Sequence, residues 1–129
     1  DTTLISEEVD FISIDVSFIS LELVLPVAKE ICGEKGKIVA LIKPQFEAGK
    51  GKVGKGGIVR DKKVHIEVIE KIIGLARDLD LNILALTNSP IKGTSGNIEF
   101  LIYLSNSEES SENFDASDIV NRAYESLND

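Results

Sequence analysis

Asp15, Lys43 and Glu99 are the three residues in this chain whose types and positions could do chemistry together. Asp15 closes the apolar stretch "VDFISID", Lys43 closes "KIVALIK", and Glu99 lies at the start of "IEFLIYL". Carboxylates beside a lysine favour its charged form and burial disfavours it. A lysine so placed can hold a hydroxyl group and help remove its proton as that oxygen becomes a nucleophile. The same three side chains could equally form a structural ion-pair cluster at a sheet edge. Residue types alone leave both readings open.

What must bring them together is an open sheet. "VDFISID" (9–15), "KIVALIK" (37–43), "LNILALTN" (81–88) and "IEFLIYL" (98–104) are short, β-branched runs and read as strands, with "KIVALI" apolar enough to be buried on both faces. "SLELVLPVAKEIC" reads as a helix with Ser20 as N-cap and Gly33 as its stop, and Pro26 inside it is expected to kink or restart it. "GEKGK" reads as a turn. Residues 44–60 read as a long loop holding five of the ten glycines. Asp61 caps a second helix running to about Asp80, with Val68, Ile69, Ile72, Ile73, Ala76 and Leu79 on one face. "SPIKGTSGN" is a turn-rich loop and "NSEESSEN" an acidic linker. A last helix over 116–127 places Ile119, Val120, Ala123 and Leu127 on one side.

Strand–helix–strand–helix–strand–strand predicts an α/β fold with a mostly parallel sheet and a final antiparallel strand. In such a sheet ligands gather beyond the carboxyl ends of the strands. An antiparallel last strand begins at that same edge, so Asp15, Lys43 and Glu99 are expected to meet there. Only two helical crossovers are present, which is half of a doubly wound sheet, with the flank of the first strand left open. With no Met in the chain, these features predict a piece of something larger.

The 129 residues carry a net charge of −8, unevenly spread. Between Lys43 and Lys63 seven basic residues face only Glu47 and Asp61, whereas Ser105–Asp129 holds seven acids against Arg122. A solvated loop and tail explain that pattern, and so does a loop that meets phosphates. No apolar run approaches a membrane span. The lone cysteine, Cys32, suits a reducing cytoplasm and reads as a small buried residue.

Two motif-like features fail on context. Gly49, Gly51 and Gly54 fit G-x-G-x-x-G, but "KPQFEA" separates them from the preceding strand and no helix opens until Asp61. Gly49 to Lys55 resembles a P-loop, yet Gly56 stands where a magnesium-binding Ser or Thr belongs. His65, the single histidine, reads as structural, and no His, Cys and carboxylate cluster has zinc spacing.

"IDVSFISLELVLP", "VALIKPQFEAGKGKVGKGGIVRD" and "SPIKGTSGNIEFL" together resemble the TlyA, or haemolysin A-like, family of FtsJ-type ribosomal RNA 2′-O-methyltransferases. "IVNRAYESL" is similar to that family's closing helix. The resemblance implies the second half of a Rossmann-like class I methyltransferase sheet. Residues 1–105 would be the C-terminal half of a domain dependent on S-adenosylmethionine, and 106–129 an acidic linker and terminal helix. It matches Asp15, Lys43 and Glu99 to three members of a catalytic Lys-Asp-Lys-Glu tetrad. The first lysine and most of the S-adenosylmethionine site are expected upstream of Asp1, so the piece alone is expected to be inactive and to bind the cofactor poorly.

The implied partners are ribosomal RNA or ribosomal subunits, met by Lys50, Lys52, Lys55 and Arg60, and the N-terminal half of the same protein. Cytoplasmic location, no membrane contact and self-association through the open sheet edge complete the expectations. Two rivals stand beside them: an inert RNA- or ribosome-binding module, and a haemolysin-type membrane-active protein.

Overall fold

Alternating burial along two neighbouring strands organises the molecule. The computed structural model describes residues 9–90, 96–107 and 113–127. Its elements are β1 (Val9–Ile14), α1 (Leu21–Ile31), β2 (Cys32–Ile42), α2 (Pro44–Glu47), a 3-10 turn (Lys55–Gly57), α3 (Lys62–Asp78), β3 (Asn82–Asn88), β4 (Phe100–Ser105) and α4 (Ala116–Leu127). Residues 91–95 of "SPIKGTSGN", residues 108–112 of the acidic linker and the side chain of Leu127 lie outside the described residues.

The four strands form one sheet in the order β1-β2-β4-β3. β1 and β2 are parallel, and β4 runs antiparallel to both β2 and β3. The fold is therefore α/β with a mixed sheet, three strands pointing one way and the last the other. The last strand does not sit at an edge. It is inserted between β2 and β3, so β1–β2 is the parallel pairing and two antiparallel pairings follow.

Ile38, Ala40 and Ile42 of β2 and Phe100, Ile102 and Leu104 of β4 are wholly buried on one face. They pack with Leu21 and Leu25 of α1, Val68, Ile69 and Ile72 of α3, and Val120 and Ala123 of α4. Val39 and Leu41 alternate with them and are only half-buried. The expectation that β2 is buried on both faces is thus corrected: the period-2 pattern of the pleat places one set under the helices and leaves the other only half-buried. Among the described residues β1 pairs with β2 alone, and Phe11 is 56% exposed.

Local chemistry sets the boundaries. Ser20 caps α1 by accepting from the Glu22 amide at 3.0 Å, and Asp61 caps α3 by accepting from Lys63 N at 2.9 Å. α1 runs through Pro26 as one element rather than restarting, leaving only the bond that a proline nitrogen cannot donate. It stops at Ile31, not Gly33, because Cys32 is already extended and begins β2. "GEKGK" is consequently no free-standing turn. It lies within β2 as a bulge, with Val9 opposite Cys32 but Phe11 opposite Lys37.

Candidate active site at the carboxyl edge of the sheet

Two strand ends create the site. β1 and β2 are parallel neighbours, so the residues that follow them, Asp15 and Lys43, emerge side by side. Lys43 Nζ lies 2.5 Å from Asp15 Oδ1 and donates to Ser17 Oγ at 3.3 Å. The lysine side chain is 13% exposed and the aspartate 62%, so the ammonium is held in the protein with an accessible carboxylate against it.

Glu99 is at the same edge, immediately before β4, and is buried. It does not reach Lys43. Its Oε2 accepts from Gln45 Nε2 at 3.1 Å, and Gln45 Oε1 is buried with no hydrogen-bond partner among the described residues. The three-way meeting expected from the sequence is therefore a contact between two residues, with Gln45 standing between the lysine segment and Glu99. The reason is local: Pro44 starts a helical turn, α2, which was expected to be loop, and that turn swings Gln45 toward Glu99.

α2 is pinned from below by Glu47, which the sequence reading passed over. Its side chain is 3% exposed. Oε1 accepts from Ser20 Oγ at 2.7 Å and from Lys71 Nζ at 3.2 Å, and Oε2 accepts from the Leu21 amide at 2.9 Å. Lys71 also donates to the Glu47 carbonyl at 3.2 Å. A carboxylate at the first amide of α1 satisfies a donor that has no partner within the helix and complements the helix dipole.

Beside the pair stands an exposed aromatic. Phe18 is 90% exposed, adopts φ 64°, and its ring centroid is 4.7 Å from that of Phe46 on α2. A bulky non-glycine residue in the left-handed region is strained, and such strain concentrates at functional sites.

The basic loop hangs from the same edge. Asn97, 2% exposed, ties it to the entry of β4: its Oδ1 accepts from Val59 N at 3.0 Å and its Nδ2 donates to Gly57 O at 2.9 Å. Gly56 (φ 77°) and Gly57 (φ 76°) turn the chain through conformations closed to most side chains. Lys50, Lys52, Lys55 and Arg60 are all exposed. They are not equivalent. Lys52 pairs with Glu67, and Arg60 donates to the Lys55 carbonyl at 3.1 Å.

His65, wholly buried, is structural in its surroundings: Nδ1 lies 2.8 Å from the Tyr124 hydroxyl and 3.3 Å from the Asp61 carbonyl. Burial pushes its pKa below 6.5, against the raising influence of Asp61. Burial, with Asp61 nearby, likewise raises that of Tyr124. Among the described residues no group of His, Cys, Asp and Glu could hold a metal, and no helix is long and apolar enough to cross a membrane.

Known proteins carry the same arrangement of elements. A solved hemolysin candidate from Streptococcus thermophilus superposes with a TM-score of 0.88 at 38% identity, over 98% of this chain and 46% of that one. Another, from Lactococcus lactis, gives 0.84 at 44% identity, over 92% and 58%. The 16S/23S rRNA (cytidine-2′-O)-methyltransferase TlyA of Mycobacterium tuberculosis is 39% identical over 100 residues, 78% of this chain. YqxC of Bacillus subtilis, a candidate rRNA methyltransferase, is 50% identical over 74% of the chain, and Hemolysin A of Brachyspira hyodysenteriae 42% over 69%. The chain spans 34% to 37% of the length of these curated relatives. The profile of the FtsJ-like methyltransferases matches residues 1–106, and with TlyA-type relatives aligned over most of its length, this chain belongs to that family.

Proposed function

We propose that the full-length protein is an S-adenosylmethionine-dependent ribose 2′-O-methyltransferase of ribosomal RNA, and that this chain supplies its proton-handling edge. The observation that carries the reading is the Lys43–Asp15 contact at 2.5 Å, at the carboxyl edge of the sheet in an FtsJ-like chain. S-adenosylmethionine provides a methyl group already activated on a cationic sulfur. The exposed Asp15 carboxylate suits a cationic neighbour, but the described residues offer no cradle for an adenosine, since the glycines of the basic loop do not lead from a strand into a helix. The chain by itself is accordingly assigned no activity.

Lys43 would hold the ribose 2′-hydroxyl and, once its own ammonium has given a proton to solvent, would take up the hydroxyl proton as that oxygen becomes the nucleophile. Asp15 and Ser17 fix the direction of the lysine, and Glu99 acts one step removed, by holding Gln45. With an activated donor, placement supplies much of the rate enhancement. Phe18, braced by Phe46, offers a flat apolar surface beside Lys43 on which an unstacked base can rest. Lys50, Lys52, Lys55 and Arg60 face the phosphates of the RNA. The outer edge of β1, which pairs with no strand among the described residues, and the exposed Phe11, Leu23 and Val27 are the seam for the remaining part of the protein. A cytoplasmic location follows from that substrate.

The test compares full-length wild type with Lys43→Ala, using labelled S-adenosylmethionine and undermethylated ribosomal subunits. Label incorporated into RNA by wild type and lost in a folded Lys43→Ala supports the reading. Incorporation by neither protein would leave an inert RNA-binding module in its place. Because one curated relative and two similar solved structures carry the hemolysin name, liposome leakage by the full-length protein is measured in parallel; leakage with no methyl transfer would favour the membrane-active reading.

A further inference from the structure

We infer that Glu47, with Lys71 as its counter-ion, is a positioning residue that sets the Lys43–Asp15 geometry from beneath. This rests on the methyltransferase reading above. Asp15 belongs to the connection between β1 and α1, and Lys43 opens the turn that becomes α2. Besides the Phe18–Phe46 ring contact, polar groups tie these two segments at two places. At the solvent end Lys43 meets Asp15 and Ser17. At the buried end Glu47 takes hydrogen bonds from Ser20 Oγ (2.7 Å) and the Leu21 amide (2.9 Å). A segment tied at one point can pivot, whereas one tied at both ends has its separation fixed.

The linkage between the two ties is short and stiff. Lys43 is the N-cap of α2 and Glu47 its last residue, with the Phe46 amide on the Lys43 carbonyl at 2.9 Å and the Ala48 amide on the Pro44 carbonyl at 2.9 Å. Pro44 fixes one backbone angle at the start of that turn. Ser20 is engaged on both sides, donating to Glu47 while accepting from the Glu22 amide, so its hydroxyl cannot drift.

Burial gives the carboxylate its counter-ion. A buried charge needs a partner and filled hydrogen-bond sites, and Lys71 reaches up from α3 to both the Glu47 side chain and its carbonyl, with Glu22 a further 3.6 Å neighbour. α3 therefore acts on the site without touching a reacting atom. A purely structural clamp would need only the α1 cap; what makes this one specific to the site is that its other end is the turn that Lys43 caps.

The experiment uses the full-length enzyme and reads kcat separately from the KM values for RNA and S-adenosylmethionine, well below the melting temperature. Glu47→Gln is expected to lower kcat by about 10- to 100-fold, the penalty of an ångström-scale misplacement, with both KM values within about twofold. Lys71→Met is expected to show the same signature, and Lys71→Arg to restore most of kcat. Wild-type kcat in folded Glu47→Gln, or a loss carried by KM for RNA, would overturn the inference. If Glu47→Gln does not fold, the Lys71→Met and Lys71→Arg pair decides: equal kcat in the two overturns it. Lys43→Ala is run alongside. Retained methyl transfer there removes the methyltransferase role of Lys43 itself, whereas its loss together with an unaffected Glu47→Gln removes only the positioning role.

Discussion

Lys43 reaches Asp15 at 2.5 Å, while Glu99 at the same sheet edge bonds to Gln45 instead. Two carboxylates that look alike in the sequence are thus divided in role. Asp15, exposed, orients the lysine directly. Glu99, buried, fixes the amide beside it.

Lys43→Ala is expected to reduce kcat of the full-length enzyme by about 10²–10⁴-fold, the usual range for loss of a proton-handling group. Asp15→Asn keeps the shape of the partner but not its charge and is expected to cost less. Single-turnover methyl transfer to ribosomal subunits compares them, and equal rates in Lys43→Ala and wild type would remove the lysine from the mechanism.

Gln45→Leu strips Glu99 of the amide donor it holds, leaving a buried carboxyl oxygen unsatisfied. The expected cost is about 1–3 kcal/mol of stability, read from urea unfolding. The double variant Gln45→Leu with Glu99→Leu should recover part of it, since an unpaired buried acceptor costs more than no acceptor.

The lysines of the basic loop are expected to separate in RNA binding. Lys50 and Lys55 have no ion-pair partner among the described residues, whereas Lys52 is held by Glu67. Replacing Lys50 and Lys55 together by Ala should weaken RNA binding and lower the salt slope of log K by about 1–2. Lys52→Ala should change the slope less. Filter binding across a salt series distinguishes the three.

Stability should fall in mild acid through His65. Its folded pKa is depressed by burial below 6.5, so above pH 6.5 both folded and unfolded forms are neutral and nothing is lost. As the pH falls from 6.5 toward the lower folded value, the unfolded chain takes up the proton first and stability declines, by at most about 1.4 kcal/mol per pH unit. His65→Gln should flatten that limb below pH 6.5. An unchanged slope in the variant would place the titration elsewhere.

Asp15 and Lys43 could be located from the sequence because each ends an apolar run and the order of elements makes those runs parallel neighbours. The caps Ser20 and Asp61 were legible for the same local reason. Other features depend on facts that no short window holds. The place of β4 between β2 and β3 is a matter of sheet order. The half-exposure of Val39 and Leu41 depends on what covers the second face, while their apolar character reports only what the strand is able to bury. Glu47 was hidden because "PQFE" is too short for a periodic pattern and because its partners, Ser20, Leu21 and Lys71, come from two other helices. A buried acid beside Pro44 in a basic stretch was the available signal.

The inserted position of β4 also dictates an order of assembly. β2 and β3 share no ladder; β4 stands between them and pairs with both through residues reaching from Phe100 to Ser105, and among the described residues it is the one strand that β3 pairs with. A growing chain that has not yet delivered Ser105 can form the β1–β2 pair but has no docking place for β3. The sheet therefore closes late, by non-local pairing, which is the slow and aggregation-exposed kind of step. Until then the carboxyl edge holds Lys43 and Asp15 without Glu99, so on a translating ribosome the edge would be completed only after its last strand has emerged.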